Sequence, residues 1–358
     1  MKNQALRKVK NIDKNYCMSH YLAFRFIKNE NINFFENLTH KVFKPKSKNE
    51  LTSIRNVQDM EKIIKEKINE FYLPNKTAIL LSGGIDSAIL ASYLPPQTPA
   101  FTFKCIAQGA IDETQVAKKY CETYHLNHHI IEMFWEDFET LCPELLIYNQ
   151  VPFHSIEVQL LKAAKYAQSQ GIERIIIGES ADLIFGGMDK LLAKDWDFDE
   201  FVKRYNFVEP SSILNDAVDV REVYEKYRLP HNKIDFLTFM DEIFSIESSS
   251  SYMHVFDYTK TKYLDPYSYM EMANPLDLYR IRNGEPKYLV RELFALRYPN
   301  LAIPDKIPMP RAMDQWLENW EGPKRKEFKK CCHKNLNGDQ KWLLWCLKSF
   351  LNLYEKTI

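Results

Sequence analysis

The sequence predicts an α/β protein, with a parallel sheet carrying helices on both faces and a helical C-terminal part. Three observations carry that expectation. From residue 78 short apolar runs alternate with helical patterns, the signature of βαβ units. After about residue 190 the strand signal stops and helical segments take over. Glycine is scarce, with ten in 358 residues against a usual share of roughly 7%. Even so, Gly83 and Gly84 share one short window, and Gly178, Gly186 and Gly187 share another, each window opening where an apolar run ends.

In chain order, NVQDMEKIIKEKINEFY (56–72) reads as a helix leading into AILL (78–81), the first strand. DSAILASYL follows as a helix, then strand AFTFK (100–104) and helix DETQVAKKYCETY, then strand HIIEM (129–133) and helix WEDFETLCPELLIY. A further helix, SIEVQLLKAAKYAQSQ, leads into RIIIG (174–178). Beyond it DFDEFVKRY, KIDFLTFMDEIFSI, PKYLVRELFALRY and QKWLLWCLKSFLNLYEK have helical spacing, and SIESSSSY reads as a loop or helix start. Residues 1–57 are polar, rich in Asn and Lys and without clear period. They read as an N-terminal extension of short strands and loops ahead of a domain over 58–358, divided into an α/β core (58–190) and a mostly helical part (191–358).

Lys plus Arg equals Asp plus Glu at 48 each, so charge gives no reason to expect nucleic acid as partner. No apolar run reaches the ~18 residues of a membrane span, and the basic residues before position 16 are followed by no signal-peptide core. The seven cysteines form no CxxC pair, which fits reduced thiols and a cytoplasmic location. Cys331, Cys332 and His333 adjoin no carboxylates in sequence and read as a basic helical stretch rather than a metal site.

SGGIDS (82–87) stands at the carboxyl end of a predicted parallel strand and opens a helix, which is where ligands of open α/β sheets lie. Glycines there permit close backbone approach, while the helix N–H groups and the Ser82 and Ser87 hydroxyls can face an anion. A plain βα turn with a capping serine is the simpler alternative. Neither a GxxxxGK[ST] loop nor a GxGxxG fingerprint is present.

Ser82-Gly83-Gly84-Ile85-Asp86-Ser87 resembles the SGGxDS pyrophosphate loop of the ATP pyrophosphatases, and Gly178-Glu179-Ser180-Ala181-Asp182 with Phe185-Gly186-Gly187 resembles the GEGADELFGGY block of asparagine synthetases. Weaker likenesses come after these in order: Tyr263-Leu264-Asp265 to PFLD, Lys287-Tyr288-Leu289-Val290-Arg291 to KYLLR, and Ile303-Pro304 with Lys306-Ile307 to LP-x-x-I. The resemblance spans roughly residues 58 to 320. It implies the adenine nucleotide alpha hydrolase-like (HUP-type) fold and a ligase that activates a carboxylate with ATP. Ser82, Gly83, Gly84 and Ser87 would bind pyrophosphate, with Gly178 beside them. Asp86 and Asp182 would hold Mg²⁺, and Glu179 would accept a proton from the incoming nitrogen. Leu80, Leu81 and Phe103, at the ends of the first two strands, are candidates to contact adenosine. Lys104, Asp112 and Glu113 lie after the second strand, where a site residue could be, although such charges more often form a solvated helix face; His154 and Ser155 read as candidate acceptor contacts or, for Ser155, a helix cap.

Three departures from that family pattern stand out. The family's glutaminase domain, with its cysteine nucleophile exposed at the start, has no counterpart here. The chain begins Met1-Lys2, Cys17 is internal, and HKVFKPKSKNELTSIRNVQDMEKII resembles at most the last strands and linker of such a domain. Nitrogen would then come from free ammonia, a separate glutaminase or another amine. Leu183 replaces the second acid of GADE. Finally, the catalytic lysine expected near 310 is missing, leaving Lys306, several residues early, and Arg311, whose permanent cation suits transition-state charge. The expected function is therefore ATP-dependent transfer of a small-molecule or peptide carboxylate to ammonia or an amine. An intramolecular cyclase resembling β-lactam synthetases, or a nucleotide-binding relative without turnover, are the alternatives.

Overall fold

The computed structural model describes residues 11–305 and 309–355. Its centre is a five-stranded parallel sheet: β1 (Thr77–Leu80), β2 (Pro99–Cys105), β3 (Asn127–Met133), β4 (Arg174–Ile176) and β5 (Lys262–Leu264), in spatial order β5-β4-β1-β2-β3. The order reverses between β1 and β4, whose register pairs Ala78 with Ile175 and Ile79 with Ile176. In such a sheet the crevice at the carboxyl ends of those two strands is the natural ligand site.

The strands are apolar on both sides because both faces are covered. Ala78, Phe101 and Ile175 enter one core with α1 (Lys14–Phe24), α5 (Trp135–Asn149), α6 (Ile156–Ser169) and the C-terminal α10 (Gly338–Glu355). Their neighbours Ile79, Ala100 and Ile176 enter the opposite core with α2 (Val57–Phe71), α3 (Ile85–Ala91), α4 (Thr114–Tyr124) and α9 (Tyr288–Arg297). This is the period-2 alternation of a strand, applied to two helical layers.

Two expectations need correction. The sheet does not end at residue 178. Lys262–Leu264 adds the fifth strand, and Thr52–Ile54 pairs in parallel with Met270–Met272. Runs of three residues carry too little periodicity to be distinguished from loop. Nor are residues 11–57 only strands and loops. Lys14–Phe24 forms a helix capped by the Asp13 side chain on the Tyr16 N–H, with Cys17 to Phe24 all buried. Tyr21 donates from its hydroxyl to the Phe153 carbonyl at 2.9 Å. A helix buried on every side has no amphipathic stripe for a sequence reading to detect.

Residues 191–244 gather around the end of α1 in a third, aromatic core that includes Phe24, α7 (Phe198–Tyr205), Tyr224 and Phe239. The chain then passes through a π-turn, Met240–Phe244, into α8 (Ser245–Thr259). SIESSSSY is therefore helix.

Candidate active site

A cavity of about 630 Å³ opens at the carboxyl ends of β1 and β4. Ser82, Gly84, Asp86 and Ser87 line it from the first loop, and Gly178, Glu179, Asp182 and Gly187 from the second. Leu80, Leu81, Phe101, Phe103, Ile156 and Leu160 form an apolar wall.

The first loop is braced by its own side chains. Ser82 and Ser87 hydroxyls lie 3.0 Å apart, the Ser82 N–H donates to Ser87 Oγ at 3.0 Å, and the Gly84 N–H donates to Ser82 Oγ at 3.1 Å. Gly84 has φ −79°, so the glycine pair is not there for a left-handed turn. Gly83 is required by proximity: a Cβ on it would stand 2.9 Å from Glu113 Cβ. Its N–H donates to the Glu113 carboxyl and its carbonyl accepts from the Tyr120 hydroxyl at 3.0 Å. Gly83 thus faces Glu113 and Tyr120 rather than the cavity, correcting its expected place among the anion-facing groups. Glu113 is 5% exposed, not a solvated face; burial pushes its carboxyl up to about 7. Lys104 and Asp112 do form a half-exposed surface pair.

The second loop is held from β5: Asp265 accepts the Ser180 N–H at 2.8 Å and the Tyr267 N–H at 3.1 Å. Gly178 lets the two loops approach, since a Cβ there would sit 3.3 Å from the backbone of Asp86 and Ser87. Gly187 has a sharper requirement. A methyl on it would overlap both the Asp182 carboxylate and the Lys287 side chain.

Those two groups meet in the central ion pair of the site. Lys287 Nζ lies 2.5 Å from Asp86 Oδ2 and 2.5 Å from Asp182 Oδ1, with its side chain 9% exposed. Burial alone would lower the Lys287 pKa; the two carboxylates overcome that and hold it above the ordinary value. Lys287 has φ +54° just before α9, a strained conformation for a lysine. The cation at the expected metal carboxylates is therefore Lys287, a residue quoted in the sequence only as part of a motif. Arg311 lines the cavity, but its Nε and Nη2 donate to Asp339 at 2.9 and 3.0 Å, which orients it away from the role of free cation at the phosphates. Lys306 lies outside the described residues.

Glu179 stands on the cavity floor, accepting hydrogen bonds from Ser248 Oγ and the Tyr252 hydroxyl of α8. Burial outweighs those bonds and pushes its carboxyl up to about 7. Phe244, Glu247, Ser248, Ser251 and Tyr252 all line the cavity; the spacing i, i+3, i+4, i+7, i+8 is one face of α8. A π-turn precedes that face, a feature that often re-aims helices at functional sites. His154 also lines the cavity, and burial lowers its pKa well below the usual range, leaving it neutral; its Nδ1 accepts the Ile156 N–H at 3.2 Å. Ser155 is buried and makes no side-chain cap. All seven cysteines are free, and no group of three or more His, Cys, Asp or Glu placed to hold a metal ion occurs among the described residues.

A reversed parallel sheet with a serine-braced loop at its switch point, facing a second acidic loop, defines an α/β protein of the ATP-pyrophosphatase, or PP-loop, class. The asparagine synthase family model matches residues 75–264, more than half of the chain. The chain belongs to the asparagine synthase family, and that membership supports ATP-pyrophosphatase chemistry. No curated protein matches it. Among solved structures it is similar to the U34-tRNA thiolase NcsA from Methanococcus maripaludis with its 4Fe-4S cluster, at 14% identity over 70% of this chain and 83% of that one. A TM-score of 0.24 is too low for that likeness to bear on the function of this chain. No helix among the described residues is long and apolar enough to cross a membrane.

Proposed function

We propose that the protein uses ATP to adenylate a substrate carboxylate, releasing pyrophosphate, and transfers the acyl group to ammonia or an amine. The observation that carries this reading is the convergence of Asp86, Asp182 and Lys287 at the switch point, with Glu179 three residues from Asp182.

The first N–H groups of α3 and the Ser82 and Ser87 hydroxyls suit the pyrophosphate end of ATP. The apolar wall of Leu80, Leu81, Phe101 and Phe103 suits adenosine. Asp86 and Asp182 are hard oxygen donors of the kind Mg²⁺ takes together with substrate oxygens and water, and they are the residues that would hold it, sharing their carboxylates with the Lys287 ammonium that bridges them. Bound there, the ion would supply neutralisation of phosphate oxygens. Lys287 stays charged and meets the negative charge that grows on the leaving oxygen as the bond to the α-phosphorus breaks. Glu179, titrating near neutral pH, then takes a proton from the attacking nitrogen.

Carboxylate-dependent exchange of labelled pyrophosphate into ATP tests the reading. Exchange should occur, with AMP and pyrophosphate as products of turnover. Asp86→Asn or Asp182→Asn should abolish it while the protein remains folded by circular dichroism. Formation of ADP and phosphate would overturn the proposal. The mass of the product distinguishes amide formation from internal cyclisation.

A further inference from the structure

The central sheet has two edges, and they are not alike. At one, β5 is three residues long. At the other, β3 runs seven residues, Asn127–Met133, in unbroken one-to-one register with β2 and without a proline. Short edge strands, bulges and prolines are common protections of an exposed edge against pairing with another chain. β3 has none of the three.

Its hydrogen bonds alternate along the strand. The Asn127 N–H donates to the Thr98 carbonyl at 3.0 Å, and the Met133 carbonyl accepts from the Ile106 N–H at 2.8 Å, so the odd-numbered residues face β2. His128, Ile130 and Glu132 therefore turn their N–H and C=O groups outward, and among the described residues those N–H groups meet no acceptor. Lys162 of α6 donates to the Glu132 carbonyl at 2.7 Å, which takes one of that oxygen's two lone pairs. The side chains alternate as well. Ile131 and Met133 enter the core shared with α5 and α6, which sends His128, Ile130 and Glu132 to the face that carries α4. That helix leaves Ile130 48% exposed, and Glu132 is exposed beside it.

This outward set is complementary to itself. When two copies of β3 meet antiparallel with Ile130 opposite Ile130, every outward residue faces an outward residue, and three pairs exchange hydrogen bonds; a shift by two residues leaves two such pairs. The same register sets apolar Ile130 against its own copy, and Glu132 of each chain directly opposite His128 of the other, an acid facing a base. Glu132 forms no ion pair among the described residues of its own chain, so its carboxylate is free for that partner.

We propose that β3 is a homodimer interface, at which a second copy of this chain adds antiparallel, edge to edge, and joins the two sheets into one with its two-fold axis at Ile130. The proposal stands apart from the reaction, because β3 contributes no residue to the cavity.

Sedimentation velocity on the full chain, followed through a dilution series, should find a reversible dimer. Ile130→Lys and Ile130→Glu each place like charges at the two-fold axis and should each raise the dissociation constant at least about tenfold. Circular dichroism should stay unchanged, since the side chain is exposed. An equimolar mixture of the two variants should recover the dimer, because opposite charges then meet. If either variant misfolds, hydrogen exchange on the wild type decides: the amides of His128, Ile130 and Glu132 should be protected at high protein concentration and lose that protection on dilution. A wild-type monomer overturns the proposal and leaves the edge to a strand of some other protein. So does a dimer that both variants leave as tight as before, a mixture that stays monomeric, or fast exchange at the three amides within the dimer.

Discussion

The two ends of the cavity are built differently. At the end proposed for phosphate many of the polar groups come from two short loops, Ser82 to Ser87 and Gly178 to Gly187, each following its own strand. At the end proposed for the acceptor Arg25, His154, Phe207, Arg311 and the pair Glu247 and Tyr252 of α8 come from well-separated parts of the chain. Phosphate binding needs N–H groups and hydroxyls packed into one turn, which a local motif can provide. Recognition of a particular carboxylate needs groups spread over the length of a substrate, and only packing of distant helices can place them.

Lys287 is where the comparison is easiest to break, because it pairs with Asp86 and Asp182 of the two loops yet comes from the start of a distant helix. Lys287→Met should leave Asp86 and Asp182 as uncompensated neighbours and reduce pyrophosphate exchange by about 10³-fold or more. Exchange within tenfold of wild type would show that the two loops suffice without it.

Glu179 stands at the boundary of the two ends. Glu179→Gln keeps the shape and removes the base, so exchange should persist while amide formation falls by roughly 10². In the wild type, amide formation should rise with pH through about 7 and then level, since the basic form of Glu179 is the active one. If exchange and amide formation fall together in the variant, Glu179 serves activation instead.

Glu113 sharpens the comparison through stability. Its folded-state pKa of about 7 exceeds the ordinary value of 4.5, so the folded protein keeps a proton that the unfolded chain releases between those values. Stability from this group is therefore lost as pH rises from about 4.5 to 7 and stays lost above. Glu113→Gln should raise stability at pH 8 by up to about 2 kcal/mol and change little at pH 4.5, read from denaturant unfolding at both pH values. Equal effects at both would mean that the carboxyl is not buried as a neutral acid.

The smallest effect concerns the glycine pair. Gly83→Ala brings a methyl against Glu113 Cβ at 2.9 Å and should cost about 1–2 kcal/mol, whereas Gly84→Ala, with Ser82 Oγ its nearest contact at 3.2 Å, should cost less. The ratio can be read from melting curves.

Much of the two-loop end of the cavity was legible in the sequence. SGGIDS and GESAD placed Ser82, Asp86, Ser87, Glu179 and Asp182 after strands, and the structure brings them to one cavity. Glu113 was legible only as one of two readings, a site position after the second strand or a solvated face, because a residue opening a polar helix reads as solvated until its neighbours across the loop are known. Lys287 was present in a motif without a role; the signal that could have found it is Gly187, whose missing side chain makes room for the ion pair. Arg311 was chosen for its charge, but charge alone does not reveal that Asp339 holds it.

By itself the sequence determined the alternation of strand and helix, the two glycine-marked loops and the acidic groups within them. These depend on local periodicity and on chemistry confined to a few neighbouring residues. Tertiary structure decided the strand order that sets β1 beside β4, the fifth strand, the burial of α1, and the meeting of Lys287 with Asp86 and Asp182. It also decided which face of α8 looks into the cavity and that Arg25 joins it there. Each of these is a contact between segments tens to hundreds of residues apart, fixed by the packing of whole elements, and no single stretch of the chain carries its signal.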